Sequence, residues 1–297
     1  MKLRKLASLF VIGALLMTGC QSSKTDETSK EVSEVVEDKT VVAATVSGTQ
    51  VLDRLDANVV GIPTTKMEIP EQYKGLPEVG QSMSPDLEIV ASLEPDVFIM
   101  DNLFRESVEE SLDDYDFNTY FLKTSSYTEY LESIKELGKV INKEEEATAL
   151  INEFKDIEKE IANKKGDKSP TVAIIFGGGE NFMLATETSY LGDLAKAVGV
   201  TNIASNLEGT VENGYIQLSL EHILQQNPDY ILRFAHGNLE ETKKSFDEAF
   251  DKNPAYQELD AVKNNKVVDL DPAVFNVSAN LKVKDAIKTL GDILYGE

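Results

Sequence analysis

Two side chains in this 297-residue chain have the chemistry to coordinate iron together, and they stand in different halves of the sequence. His236, one of only two histidines, follows the run Tyr230-Ile-Leu-Arg-Phe-Ala235, which reads as a buried strand, and precedes Gly237. Met83 precedes Ser84-Pro-Asp-Leu87, where Ser can cap a helix, Pro suits its first turn and Asp favours its positive end. Taken singly, Met83 reads as a core gap-filler and His236 as a structural residue. Taken together, a thioether and a neutral imidazole form an axial pair for heme iron, favouring a six-coordinate, low-spin centre at raised potential. The pairing points to an iron porphyrin held between two lobes, with Tyr215 and Met183 as substitute ligands.

Such ligands need two rigid supports, and the sequence repeats itself in a way that supplies them. Leu87-Glu-Ile-Val-Ala-Ser-Leu-Glu-Pro-Asp-Val-Phe-Ile-Met100 and Leu220-Glu-His-Ile-Leu-Gln-Gln-Asn-Pro-Asp-Tyr-Ile-Leu-Arg233 align without a gap at an offset of 133. Each reads as a short helix, a Pro-Asp turn and a buried strand. Helical spacing puts Leu87, Val90 and Ala91 inward and Glu88 and Ser92 outward, with Leu220, Ile223, Leu224 and Glu221, Gln225 as their counterparts. His222 lies off both stripes, as a partly exposed helix residue. Further apolar runs at 40–46, 59–62, 97–100 and 118–122, then at 171–176, 202–204, 230–234 and 266–270, alternate with helical stretches. That alternation predicts an α/β fold of two three-layer lobes with mainly parallel sheets. Between them, Ala147, Leu150, Ile151, Phe154, Ile157 and Ile161 recur at helical spacing with no Gly or Pro before Gly166. One long, stiff helix over 143–166 should therefore join a first lobe at 40–142 to a second at 167–297.

Open α/β sheets bind ligands beyond the carboxyl ends of their strands, where Met83 and His236 both fall. The heme propionates need donors, and only Arg54, Arg105 and Arg233 remain beyond the N-terminal leader. A helix N-terminus offers free backbone N–H groups instead. Val46-Ser47-Gly48-Thr49, after the first strand, is the candidate, with Ser47 and Thr49 as hydroxyl donors. Arg233 either contacts the ligand or points into the sheet surroundings. The run Gly177-Gly-Gly179 lacks the Lys and hydroxyl of a phosphate loop and reads as a tight turn near the ligand.

The first nineteen residues combine a basic head, an apolar stretch from Leu6 to Met17 and a small residue before Cys20, which describes a secretory signal too short to remain as a membrane span. Met17-Thr-Gly-Cys20 looks like a bacterial lipobox, so the lone cysteine is expected to be cleaved to the N-terminus and lipidated. Residues 20–39 then form an acidic tether with no aromatic residue. Losing Lys2, Arg4 and Lys5 takes the formal charge from −23 to −26, which repels nucleic acid and anionic lipid. The anchor must then be the acyl chains, on the extracellular face of a Gram-positive-type membrane. No Ser or Cys nucleophile stands in a visible triad with either histidine, and no His and carboxylate triad for a metal is visible, so an enzyme is not expected.

Lipobox, tether and two α/β lobes on one helix resemble the substrate-binding lipoproteins that feed iron-chelate and cobalamin ABC importers, of the class III periplasmic-binding-protein-like architecture. Within that family, Gly61-Ile-Pro-Thr-Thr65, Leu76-Pro-Glu-Val-Gly-Gln-Ser-Met-Ser-Pro-Asp-Leu-Glu88 and Arg233-Phe-Ala-His-Gly237 are similar to the heme-binding members of the iron-regulated surface determinant system. The resemblance implies heme as transported ligand, with Met83 and His236 as its axial pair. It also implies docking of Glu88 and Glu221 onto arginines of two permease subunits, delivery by donor surface proteins, and a monomer. The sibling alternative is a ferric-siderophore or cobalamin receptor, against which stand the absence of Trp and the scarcity of Arg.

Overall fold

The apolar runs separate into two sheets because parallel neighbours need crossover helices, which cover the sheet faces. The computed structural model describes residues 38–178, 181–207, 209–236 and 239–296, within a compact unit Glu37–Glu297. The expected signal peptide, Cys20 and almost all of the tether, together with Gly179 and Gly237, lie outside the described residues. Asp38 and Lys39, assigned above to the tether, are instead tied to the body. Lys39 Nζ donates to the Val140 carbonyl at 2.7 Å, and Asp38 pairs with Lys143 at 3.0 Å.

The first half runs β1 (Thr40–Ala43), α1 (Val46–Arg54), β2 (Asn58–Gly61), the two-stranded hairpin β3 (Gly80–Gln81) and β4 (Ser84–Pro85), α2 (Leu87–Ser92), β5 (Val97–Asp101), α3 (Arg105–Leu112), β6 (Asn118–Leu122) and α4 (Tyr127–Val140). Its main sheet has the order β2-β1-β5-β6 and is parallel throughout. All five residues of β5 are buried, as a central strand covered on both faces must be. The first strand ends at Ala43, short of the expected 46, because the Thr45 side chain accepts the Gly48 N–H and starts α1.

After α5 (Glu144–Lys165), the second half runs β7 (Thr171–Gly178), β8 (Asn181–Ala185), α6 (Tyr190–Ala197), β9 (Thr201–Asn202), β10 (Tyr215–Gln217), α7 (Leu220–Gln226), β11 (Tyr230–Ala235), α8 (Leu239–Phe246), α9 (Asp260–Lys263), β12 (Val267–Asp269) and α10 (Val283–Tyr295). Its sheet has the order β10-β8-β7-β11-β12, with β9 also paired to β7. The β7, β9, β11 and β12 pairings are parallel, but β8 is antiparallel to β7 and to β10, so this sheet is mixed. Gly177 and Gly178 therefore lie in β7, paired with Phe182 and Asn181 of β8. Gly177 is a strand residue rather than a ligand-side turn. A Cβ there would come within 2.9 Å of Thr242 and Phe246 of α8.

The expected joining helix is α5, unbroken over its 22 residues, with Glu144, Glu145 and Glu146 in its first turn and Lys164 and Lys165 in its last, both favourable to its dipole. Ala147, Leu150, Phe154, Ile157 and Ile161 are its buried stripe. They belong to one apolar cluster that also takes Val41, Val97 and Ile134 from the first half and Leu232, Leu270, Phe275 and Leu290 from the second. Glu153 on α5 pairs with Arg54 of α1 at 2.5 Å and Lys284 of α10 at 2.6 Å, joining the halves at the surface as well.

Close approach of α4 to α5 depends on Gly138, where a Cβ would sit 2.5 Å from Ala147 Cβ and 2.9 Å from the Lys143 carbonyl oxygen. Gly138→Val forces the helices apart, and overpacking of this kind costs about 1–3 kcal/mol. A lower urea midpoint with an unchanged slope is expected, and a midpoint equal to the wild type would contradict the packing described.

Candidate functional site

The four parallel strands of the first sheet all end at one edge, and the loops leaving that edge carry the candidate groups. Beyond β1 lies the N-terminus of α1. Val46 and Ser47 are half-buried there, and Ser47 Oγ lies 3.2 Å from Thr45 Oγ1. Gly48 and Thr49 are buried and their donors are spent: the Gly48 N–H goes to Thr45 Oγ1, the Thr49 N–H to the Thr45 carbonyl and the Thr49 hydroxyl to the Val46 carbonyl at 2.7 Å. Thr49, expected as a rim donor, is thus turned inward by the helix that it helps to start.

Beyond β2, residues 62–64 run alongside 77–80. Ile62 N–H donates to Pro77, Val79 N–H to Ile62 and Thr64 N–H to Gly80, at 3.0, 2.8 and 2.7 Å. This staple holds the β3–β4 hairpin, whose two-residue loop is Ser82-Met83. Met83 is 69% exposed at the tip, and its carbonyl accepts the Ser107 hydroxyl at 3.3 Å. The cap of α2 is Asp86, whose carboxylate takes the Glu88 and Ile89 N–H groups, rather than Ser84, which is spent in β4. At the end of β5, Asp101 is buried. It accepts the Leu103 N–H at 2.9 Å and the Thr124 hydroxyl at 3.1 Å, and burial pushes its carboxyl above the usual carboxylate range.

At the matching edge of the second sheet, His236 leaves β11 exposed, its N–H bonded to the Gly177 carbonyl at 3.3 Å. It lines a cavity of about 190 Å³ with Phe234, Ala235, Leu239, Pro272, Phe275, Asn276 and Val277. Pro272 and Asn276 also line a second cavity of about 220 Å³, whose opposite wall is Val46, Ser47, Gln50 and Met67 of the first half. The two are therefore neighbouring parts of one cleft between the sheet edges. Its floor is fixed by the Ala279 N–H bonded to the Thr124 carbonyl at 2.8 Å.

Strand alternation sorts the rest of β11. Leu232 and Phe234 face the core around α5, while Ile231 faces the opposite cluster with Phe246. Arg233 shares that opposite face. Its Nε and Nη2 reach Asp269 Oδ1 and Oδ2 at 2.6 and 3.0 Å, and its guanidinium stands 5.1 Å from the Phe246 ring. It is buried, so of its two expected placements the structure gives the one within the sheet surroundings. Tyr215 and Met183 lie further along, in a separate cavity of about 840 Å³ that includes Phe182 and Gln217. The Tyr215 ring packs 5.1 Å from Phe176 and 6.4 Å from Phe234, and burial pushes its phenol up to about 12, which disfavours the anionic form a metal would need.

The wall at 272–277 and Met67 carried no periodic signal in the sequence. The only clue to the wall was its place just beyond the carboxyl end of β12. Glu88 and Glu221 are exposed on the first turns of α2 and α7, as the repeat implies. His222 is half-buried, with Nε2 2.9 Å from the Ile203 carbonyl oxygen.

Residues 41–274 match the family described as "Periplasmic binding protein". The chain belongs to that family. Its members here are ABC-transporter binding proteins rather than enzymes. Over 99% of both chains it is 33% identical to the high-affinity heme uptake system protein IsdE of Staphylococcus aureus. A crystal structure of S. aureus IsdE complexed with heme matches 88% of this chain and 100% of that one, at 34% identity and a TM-score of 0.69. An ABC transporter substrate-binding protein from Listeria monocytogenes matches with the same coverage at 35% identity and 0.75. S. aureus SirA complexed with staphyloferrin B matches 88% and 94% of the two chains at 25% and 0.67. These binding-protein structures share the two-lobed α/β architecture found here.

Proposed function

We propose that this chain is an extracellular receptor that takes heme into the cleft between its sheet edges and delivers it to an ABC permease. The observation that carries the reading is the exposed His236 imidazole on the wall of a cavity continuous with the opposite lobe. The 33% identity to a heme uptake protein over nearly the whole length supports it. His236 supplies one axial ligand and Met83 the thioether on the other side, a pair that fills both axial positions and leaves none for catalysis.

Phe234, Leu239, Phe275 and Val277 give the porphyrin an apolar wall. Val46 and Ser47 open α1 on the wall of the same cleft, and the N–H groups of a helix's first turn suit a propionate. A siderophore reading has SirA in its favour, but Arg233 is already held by Asp269 and cannot serve an anionic chelate without breaking that pair. No helix of the described residues is long and apolar enough to cross a membrane, and attachment is assigned to lipidated Cys20.

Hemin added to residues 37–297 should saturate at one per chain with a low-spin spectrum. His236→Ala should weaken binding at least about tenfold, roughly 1.4 kcal/mol, and remove that spectrum. Absence of saturable binding by the wild type contradicts the reading. Glu88 and Glu221 are assigned to the permease contact. Reversing both to Lys should leave the hemin titration unchanged and abolish heme-dependent growth of cells, and undiminished growth would remove that assignment.

A further inference from the structure

Met67 stands out among the methionines. Of the four in the described residues, Met100 is fully buried and Met183 half-buried, whereas Met67 and Met83 are each 69% exposed. Methionine in a soluble domain ordinarily fills core gaps. A thioether held out in water gains nothing from packing, and of the two exposed methionines Met67 is the one that lines a cavity.

The geometry gives Met67 the same support as Met83. The loop that carries it leaves β2 and is bound to the hairpin strand through Ile62, Thr64, Val79 and Gly80. Met67 follows Thr64 by three residues, and Met83 follows Gly80 by three. Both methionines thus stand three residues beyond one hydrogen-bonded staple, one on each of its two segments. The Met67 N–H is further fixed by the Thr65 hydroxyl oxygen at 3.0 Å, so the backbone is set while the long side chain stays unpacked. Met67 also lines the cavity bounded opposite by Pro272 and Asn276, the two residues that this cavity shares with the one lined by His236.

We propose that Met67 is a second thioether ligand for the bound iron porphyrin, exchanging with Met83 while His236 stays coordinated. The inference rests on the heme reading above. In the exchange one iron–sulfur coordinate bond forms as the other breaks. Both sulfurs are neutral and carry no proton, so the iron keeps its oxidation state and no proton moves. Three rotatable bonds in each side chain let a thioether adapt its position. The consequence is an iron that can shift within the cleft without losing its sixth ligand, which suits a cargo that must be accepted from one partner and surrendered to another.

The test uses residues 37–297 with one equivalent of hemin, for the wild type, Met67→Leu, Met83→Leu and the double variant. It follows the thioether-to-ferric-iron charge-transfer band in the near infrared. Each single variant should keep a thioether band, shifted from the wild type, and the double variant should lose it while still binding hemin through His236. Loss of the band in either single variant overturns the exchange, as does its persistence in the double variant or its absence from the wild type. Those results differ from a failure of the heme reading itself, in which the wild type shows no saturable binding.

Discussion

The packing of α5 between α4 and α10 is the constraint on which the rest depends. A 22-residue helix is about 33 Å long, and its buried stripe is part of one apolar cluster reaching into both sheets. The halves therefore do not meet as two finished bodies across a polar seam. They share a core, and the Ala279–Thr124 backbone bond together with the two ion pairs of Glu153 add fixed points at the join. A cleft built this way keeps its width, because widening it would expose surface that is now core. Exposed ion pairs of this sort contribute only modestly, so the apolar stripe carries most of the rigidity.

From a fixed cleft the chemistry follows by geometry. Parallel strands deliver their following loops to one edge, so α1 and the Met67 loop line the cleft from one side, and the Met83 hairpin is stapled to that same loop. His236 and the 272–277 wall line it from the other. A rigid receptor of the proposed kind would select by what its edges present: a thioether and an imidazole would suit the two axial positions of a heme iron, and apolar rings a porphyrin face. Arg233 illustrates the limit of counting charges. It is one of few arginines, close in sequence to His236, yet strand alternation sends it to the opposite face, where Asp269 neutralises it.

Much of this was legible in the sequence where burial leaves a period. The central strand β5, the strand β11 and the helix α5 all announced themselves because their apolar positions answer to a shared core. The repeat at offset 133 likewise placed Glu88 and Glu221 on matching exposed turns. Legibility failed where backbone geometry rather than burial decides. Strands β8 and β10 are short and paired antiparallel, against the alternating α/β pattern. The cap of α2 moved from Ser84 to Asp86 because Ser84 is taken by a two-residue hairpin strand that has no sequence period. The cavity wall at 272–277 and the exposed Met67 lie in irregular segments, and only the three-dimensional edge reveals what they face. Thr49 was placed on the right helix but on the wrong side of it.

The most direct test of the account is the position of the iron. Crystals of residues 37–297 grown with hemin, with diffraction collected at the iron absorption edge, locate it without reference to any assumed ligand. One anomalous peak is expected between the two sheet edges, within coordination distance of a His236 ring nitrogen and of a thioether from Met83 or Met67. A peak in the larger cavity beside Tyr215 and Met183, away from His236, would contradict it.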